Sequence, residues 1–345
     1  MIRKTAGLAS AGMLAVGLGA AMVPSAQANP ATANTANTAN TANTANTANT
    51  ANTANTANKS STTSTATAKT ATTAACALRL GSVTANGAFS SRMINATAPI
   101  TIGGVRGTAG VFGANQVQKI STFTGTPQGT NGEARSGLTV IAGALYSSSF
   151  AVDGQSQIDP HYPHDNLRIG GGWSNYRWIE QSVYQPSASG PARVQLYGQR
   201  TDGTTHRWLK EGNAWRSTAG VGGLSTVKGI ALIGRTSTSE TFLANTRSGT
   251  LVTVTWPTKY RGAPTGKTVR GSTWQGFEQL IATKCGTNGT LLLGIDRDKQ
   301  SGYLYAVGHA NGTSTVIRSL GKVPLTFSDP QYFRIAPKYD VLNGG

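Results

Sequence analysis

Charge is scarce in this chain of 345 residues, and acidic charge is the scarcest. Charged side chains make up 12% of the residues, and 30 Lys and Arg against 13 Asp and Glu give a formal net charge of +17. No acid occurs between Asn29 and Gly132. A positive field of this kind favours anionic polymers, such as wall phosphate polymers or acidic polysaccharides, and indicates no specific nucleic acid. It also keeps a protein dispersed with no specific partner, and both interpretations stay open.

The sequence also lacks the motifs of common catalytic sites. It contains no G-x-S-x-G nucleophile elbow and no H-E-x-x-H metal motif. Glycosidases need paired carboxylates, and the acids here are sparse and scattered, Glu180 and Asp296 among them. Two His and two Asp crowd the segment 159–165, but its two prolines favour an irregular polar loop over a metal site. We therefore expect no catalytic residues, no metal and no cofactor.

The only strongly apolar stretch lies at the N-terminus. Arg3 and Lys4 precede a run rich in Ala, Gly, Leu and Val, and the triplet Ala26-Gln27-Ala28 follows it. A basic start, a short apolar core and a small-residue cleavage site are the pattern of a secretory signal peptide of bacterial type, here residues 1–28. We expect a secreted protein that does not insert into a membrane.

Larger apolar side chains are absent from residues 29–75. This segment contains nine copies of Thr-Ala-Asn followed by a stretch of Ser, Thr, Ala and Lys. It cannot bury enough apolar surface to offset the entropy of ordering it. The segment is therefore predicted to be a disordered spacer before a folded domain at 76–345.

Cysteine is nearly absent, since Cys76 and Cys285 are the only two. In an exported chain an even number of cysteines indicates a disulfide, and only one pairing exists here. The bond would tie the start of the folded domain to its later part.

The folded region shows little helical periodicity and is predicted to be all-β. Short apolar runs bounded by Gly recur, as in GIALIG and TLLLGID, and 43 Gly are spread along the chain. Turn signals ending in Gly separate the runs and predict two-residue hairpins. They fall at Asp202-Gly203, Ser248-Gly249, Ser301-Gly302 and Asn311-Gly312.

A period of about 50 residues connects these hairpins. Tyr176, Val227, Phe277 and Tyr332 follow one another at intervals of 51, 50 and 55 residues, each at a comparable place in the repeat. Strands repeating at this period without helices predict a β-propeller of five to seven blades. The last repeat is too short for a four-stranded blade, so the N-terminal strands around LRLGSV are expected to complete it.

The repeats at about 170–320 resemble those of the tachylectin-type β-propeller lectins. Gly172-Trp173 with Tyr176, and Gly271 with Trp274 and Phe277, match that family's Gly-Gly-Trp-x-x-Phe element, while GYLYAV at 302–307 matches its strand. The resemblance implies five blades and pockets that bind N-acetylated amino sugars. It makes these six residues the ligand-binding candidates: Gly172, Trp173, Tyr176, Gly271, Trp274 and Phe277.

Three functions remain open from the sequence. The first is a secreted lectin-like or adhesion module that binds amino sugars or anionic cell-wall polymers; tryptophan rings beside polar residues suit sugar faces. The second is a glycan hydrolase or lyase on the same scaffold, and the third is a structural extracellular protein. Trp173 and Trp274 can alternatively fill the core between blades, and the oligomeric state is unspecified.

Overall fold

A computed structural model describes residues 76–345 except Ala188, Ala219 and Tyr260. The predicted signal peptide and spacer lie outside the described residues. Within that range the structure is all-β, and no helix in it is long and apolar enough to cross a membrane. It forms a β-propeller.

Blades 1 and 2 share one hydrogen-bonded sheet. Blade 1 takes four strands from the start of the domain: β1 (Ala77–Val83), β2 (Phe89–Asn95), β3 (Thr101–Ile102) and β4 (Arg106–Thr108). Blade 2 follows with β5 (Val117–Ile120), β6 (Phe123–Gln128), β7 (Gly132–Ile141), β8 (Ala144–Val152) and β9 (Asp165–Gly170). Both β5 and β6 pair with β7, so they act as one inner strand interrupted at Ser121 and Thr122.

Blades 3, 4 and 5 are separate four-stranded antiparallel meanders. Blade 3 contains β10 (Tyr176–Tyr184), β11 (Arg193–Arg200), β12 (Thr205–Glu211) and β13 (Ala214–Ser217). Blade 4 contains β14 (Val227–Arg235), β15 (Ser239–Thr246), β16 (Leu251–Pro257) and β17 (Thr265–Arg270). Blade 5 contains β18 (Gln279–Cys285), β19 (Gly289–Asp296), β20 (Ser301–Val307) and β21 (Ile317–Lys322).

The last strand, β22 (Gln331–Pro337), closes the ring. It pairs antiparallel with β1 and becomes the inner strand of blade 1, and it also pairs in parallel with β6 of blade 2. This confirms that N-terminal strands complete the short last repeat. The Cys76–Cys285 disulfide joins blade 1 to blade 5 and is likewise confirmed.

The inner strands surround an axial channel. Each contacts the next in a closed circuit, in the order β5, β10, β14, β18 and β22. Five blades are thus counted over the described residues, within the predicted range of five to seven. Hydrogen bonds between the starts of neighbouring inner strands, such as Gln331 Nε2 to the Gln118 carbonyl (2.9 Å), show that the strands run the same way.

The repeat is visible in the linkers between blades. In four of them the backbone N–H of a large aromatic residue donates to the carbonyl of a positive-φ turn residue in the preceding blade. The pairs are Phe112 to Gly87, Trp173 to Gly143, Trp274 to Gly249 and Phe327 to Gln300. Leu224 holds the corresponding place before blade 4, where its carbonyl accepts from Val227 as that of Trp173 accepts from Tyr176.

Two predicted hairpin turns are wrong. Ser301 and Gly302 already belong to β20, and the turn lies just before them, where Gln300 adopts φ 47°. Gly302 is needed for packing, because a Cβ there would lie 2.5 Å from the Phe327 ring. Asn311-Gly312 lies in the longer loop 308–316 between β20 and β21, not in a two-residue turn.

Candidate functional site

A cleft of about 680 Å³ opens between blades 2 and 3. Aliphatic side chains of both blades line it together with three tryptophans, one in the blade linker and two in the outer strands of blade 3: Trp173, Trp208 and Trp215. Polar side chains complete the lining, among them Arg168, Gln181, Lys210 and Asn213. Pockets that hold small ligands have volumes of about 300–1,000 Å³ and combine apolar walls with a few polar groups.

Trp173 forms the inner wall of the cleft because the local backbone fixes it there. The linker reverses at Gly172, which adopts φ 84°, a conformation that glycine tolerates best. The Trp173 N–H then donates to the Gly143 carbonyl of blade 2 at 2.9 Å. Gly198 of β11 lets the rings approach, since a Cβ there would lie 2.9 Å from the Tyr176 ring. Trp173 and Tyr176 lie with ring centroids 4.5 Å apart.

Trp208 and Trp215 project from the last hairpin of blade 3. Trp208 stands 4.8 Å from Trp173 between ring centroids, and His206 stacks on it at 5.6 Å. Burial, followed by the charge of Arg200, lowers the pKa of His206, so this ring is neutral at pH 7. Both tryptophans are half-buried, which leaves part of each ring open to the cleft.

The second predicted group lies elsewhere. Trp274 and Phe277 are buried between blades 4 and 5, where Trp274 packs against Tyr305 at 4.9 Å. Gly271 is exposed in the linker before them. Of the six candidates, Trp173 lines the cleft, with Gly172 and Tyr176 beside it in the chain, whereas Trp274 and Phe277 lie in a packed junction and Gly271 is exposed. A ligand role for any of the six stays a prediction.

The axial channel contains a second cavity, of about 280 Å³. Glu180, in the middle of β10, faces it, and Thr122 at the break between β5 and β6 hydrogen-bonds to its carboxyl group. Burial raises the pKa of Glu180 to about 7, although Arg334 and Arg235 act in the opposite direction.

The other carboxylates of the channel are already paired. Glu278 accepts from Lys228 Nζ at 2.6 Å with one oxygen and from the Arg297 backbone N–H at 2.7 Å with the other. Both Asp340 oxygens accept from Arg334, and one of them also accepts from Arg235. Glu180 is therefore the channel carboxyl without an ion pair among those described.

Other acids that the sequence singled out have structural partners. Asp296 at the end of β19 accepts from both the backbone N–H and the side chain of Lys299. Asp202 caps its hairpin turn by accepting from the Thr204 N–H at 2.8 Å. In the segment 159–165, Asp159 accepts from the His161 N–H. No group of three or more His, Cys, Asp or Glu side chains converges on a metal position in the part of the chain that the structure describes.

The sequence did not select Trp208, Trp215, Lys210 and Asn213 as site residues. Their signal was the hairpin HRWLKEGNAWRS, in which Lys210 pairs with Trp215 and Trp208 with Ser217 across the two strands. The hairpin predicts one face with both indole rings, but only the fold shows that this face meets Trp173.

Comparison with known proteins gives structural likenesses only. No family model matches the chain, and no curated protein matches it. The chain is similar to the fucose-recognising lectin of the fungus Aleuria aurantia, a six-bladed propeller, with 13% identity over 76% of this chain and 84% of that one and a TM-score of 0.42.

Two further solved structures illustrate the range. The SapL1 lectin, in complex with α-methyl fucoside, is 9% identical over 73% of this chain and 98% of that one, with a TM-score of 0.38. The catalytic domain of a GH62 α-L-arabinofuranosidase from Coprinopsis cinerea is 11% identical over 59% and 68%, with a TM-score of 0.39. Identities and TM-scores this low assign neither a ligand nor an activity to the chain.

Proposed function

We propose that this protein is a secreted, non-catalytic carbohydrate-binding propeller with tachylectin-type repeats, and that the cleft between blades 2 and 3 is its glycan site. The observation that carries the proposal is the meeting of Trp173, Trp208 and Trp215 in one open cleft. Indole faces stack on the apolar C–H faces of sugar rings, and nearby amides and cations can bind the hydroxyl groups. Export through residues 1–28 and the spacer 29–75 are part of the same proposal.

The polar rim of the cleft suits two classes of glycan. Arg168 and Lys210 border the cleft, and both are exposed. Neutral amino sugars would depend on ring stacking and the Asn213 amide, whereas anionic cell-wall polymers would add ionic contacts with the two cations. Ionic contacts between exposed groups weaken with salt, and stacking does not.

The channel supports binding over hydrolysis. Hydrolysis of a glycosidic bond requires two carboxyl groups that act on opposite sides of it. Of the three channel carboxylates, Glu278 and Asp340 are bound by cations or backbone N–H groups, which leaves Glu180 alone. A hydrolase is the second candidate because the Glu180 carboxyl, with its pKa near 7, has the property of a general acid.

A glycan array separates these functions. The secreted protein is applied to amino sugars, L-fucose, uronates and wall polymers at about 0.15 M and about 1 M NaCl, and reducing-sugar release is followed over time. The proposal expects binding that survives high salt and no sugar release. Release that is lost in Glu180→Gln would establish the hydrolase, and absence of binding to every glycan would favour a structural protein.

A further inference from the structure

The axial channel has a buried ion cluster at one end and an excess of cations at the other. The inner strands end at a buried ion cluster, where Asp340 binds Arg334 and Arg235. At the starts of the strands the lining contains four cations: Lys119, Arg177, Lys228 and Arg297. The carboxylate found among them is Glu278, which is already bonded to Lys228 at 2.6 Å. The mouth therefore carries an excess of positive charge.

Two of the mouth cations lack a full set of partners within the described residues. Arg177 Nη2 donates to the Thr201 carbonyl at 2.5 Å, but its Nη1 is buried with no hydrogen-bond partner. Lys119 donates to the carbonyl of its own neighbour, Gln118. Burial, followed by repulsion from Arg297, lowers the pKa of Lys119. Unpaired cations held together in a partly buried cavity are costly and are stabilised by a bound anion.

Glu180, in the interior of the channel, favours a carboxylate over other anions. Glu180 lies deeper than the mouth cations and has no cationic hydrogen-bond partner among the described side chains. Burial raises its pKa to about 7, so a large fraction of the group is a neutral carboxylic acid near neutral pH. A neutral acid can donate a hydrogen bond to a carboxylate, and two carboxyl groups that share one proton avoid the repulsion of two anions.

We propose that the axial channel binds the carboxylate of an acidic small molecule, with Arg177 and Lys119 as its charge partners and Glu180 as its hydrogen-bond donor. The ligand is either a free organic acid or a uronic acid sugar, which share this chemistry. The site differs from the tryptophan cleft in its lining, since Gln181 is the one lining residue that the two cavities share among the described residues.

Charged groups on every surrounding inner strand or adjoining loop line the cavity that Glu180 faces. They are Lys119 on β5, Arg177 on β10, Lys228 and Arg235 on β14, Glu278 and Arg297 at blade 5, and Arg334, Lys338 and Asp340 at blade 1. Of these, Arg334 and Arg235 lower the pKa of the Glu180 carboxyl. An ionised Glu180 would repel a bound carboxylate, so binding should weaken as the pH rises through the range where Glu180 ionises.

Calorimetric titration tests the site with sodium glucuronate, sodium acetate, glucose and inorganic phosphate as probes. Glucuronate should bind and glucose should not; acetate binding would identify free acids as the source, and its failure would identify uronic sugars. Arg177→Gln and Lys119→Gln should each weaken glucuronate binding about tenfold or more, because hydrogen bonds to charged groups contribute about 1.5–3 kcal/mol.

Three control variants distinguish binding in the channel from a general effect of charge and from binding in the tryptophan cleft. Lys267→Gln removes one charge from an exposed position on β17 and should leave affinity unchanged. Glu180→Gln keeps a donor and should remove the pH dependence while retaining binding at pH 8. Trp215→Ala should leave glucuronate affinity unchanged. Four results would overturn the proposal. Wild type, Arg177→Gln and Lys119→Gln could bind glucuronate with equal affinity, or phosphate could bind more tightly than glucuronate. Alternatively, Trp215→Ala could lose glucuronate binding, or neither acid could bind.

Discussion

The junction between blades 2 and 3 and the junction between blades 4 and 5 are built from the same repeat element but differ in what covers it. Trp173 and Trp274 hold equivalent positions, and each donates its N–H to a turn glycine of the preceding blade. Their exposures are nearly equal, 7% and 5%. Each also packs on an aromatic ring of the third strand of the next blade, at 4.8 Å for Trp208 and 4.9 Å for Tyr305.

The difference comes from the outer hairpins. In blade 5 the loop 308–316 brings Ala310 against the Trp274 cluster, and β21 adds Ile317. The Ala310 N–H donates to the Gly344 carbonyl, which holds this loop in place. In blade 3 the corresponding connection is the short turn Gly212-Asn213, and Trp215 stands at the edge of an open cleft. Both junctions therefore bury their linker tryptophan in a core, but the junction of blades 2 and 3 also opens into a cleft beside it.

Trp274→Ala should have the largest effect on stability. It removes a buried ring from a packed junction and leaves a cavity, so we expect the free energy of unfolding to fall by about 3–5 kcal/mol. Chemical denaturation of purified protein measures the loss. A loss below about 1 kcal/mol would mean that this junction is not packed as described. The variant protein that remains folded should still bind glycan, because Trp274 lies away from the cleft.

Glu180→Gln should change stability only through pH, and neither junction should be affected. The Glu180 pKa rises from 4.5 to about 7 on folding, so the native state holds its proton more tightly than the unfolded chain. The tighter proton binding stabilises the folded state of wild type below pH 4.5, and this stabilisation is lost as the pH rises to about 7. The loss amounts to up to about 2–3 kcal/mol in the free energy of unfolding. Denaturation at pH 5 and pH 8 should show that the free energy of unfolding of the variant increases relative to that of wild type at pH 8. The same pH dependence in both proteins would contradict the raised pKa of Glu180.

Trp215→Ala should separate binding from folding. The half-buried ring lies at the cleft edge, so we expect a stability loss below about 1 kcal/mol but a glycan affinity lower by about tenfold or more. Titration of the best array ligand and a parallel denaturation curve measure both. Unchanged glycan affinity in Trp215→Ala would mean that the junction of blades 2 and 3 is no more a binding site than the junction of blades 4 and 5.

Lys210→Gln should have the smallest effect. The side chain is exposed at the rim, where an ionic contact contributes about 0–1 kcal/mol. Affinity for a neutral glycan should change by less than about threefold, and for an anionic polymer the loss should disappear at high salt. A large loss for a neutral sugar would show that Lys210 binds it directly.

The sequence revealed the ring through elements that repeat locally. Trp173 with Tyr176 and Trp274 with Phe277 predicted the spacing of blades, because each linker must anchor an inner strand in the same way. The turns at Gly203 and Gly249 lie where predicted and have positive φ, but the connecting segments 201–204 and 247–250 are longer than the predicted two residues. At Gly302 the same residue type serves a close ring contact instead, and dipeptide composition does not distinguish the two roles.

The candidate sites were harder to predict because they depend on contacts between distant segments. Trp215 and Trp173 meet only because one blade packs on the next, and the length of one outer loop decides whether a junction is open. The channel cations are distributed from Lys119 to Arg297, one blade at a time, so that no local cluster in the sequence marks them.

The central claim is that glycan binds at the junction of blades 2 and 3, and fluorine NMR of protein labelled with 5-fluorotryptophan tests it most directly. The chain has six tryptophans, so each resonance can be assigned by single substitutions. On titration with the best glycan, the account predicts shifts at Trp173, Trp208 and Trp215 and none at Trp256 or Trp274. Shifts at Trp274 with none at Trp208 and Trp215 would contradict it.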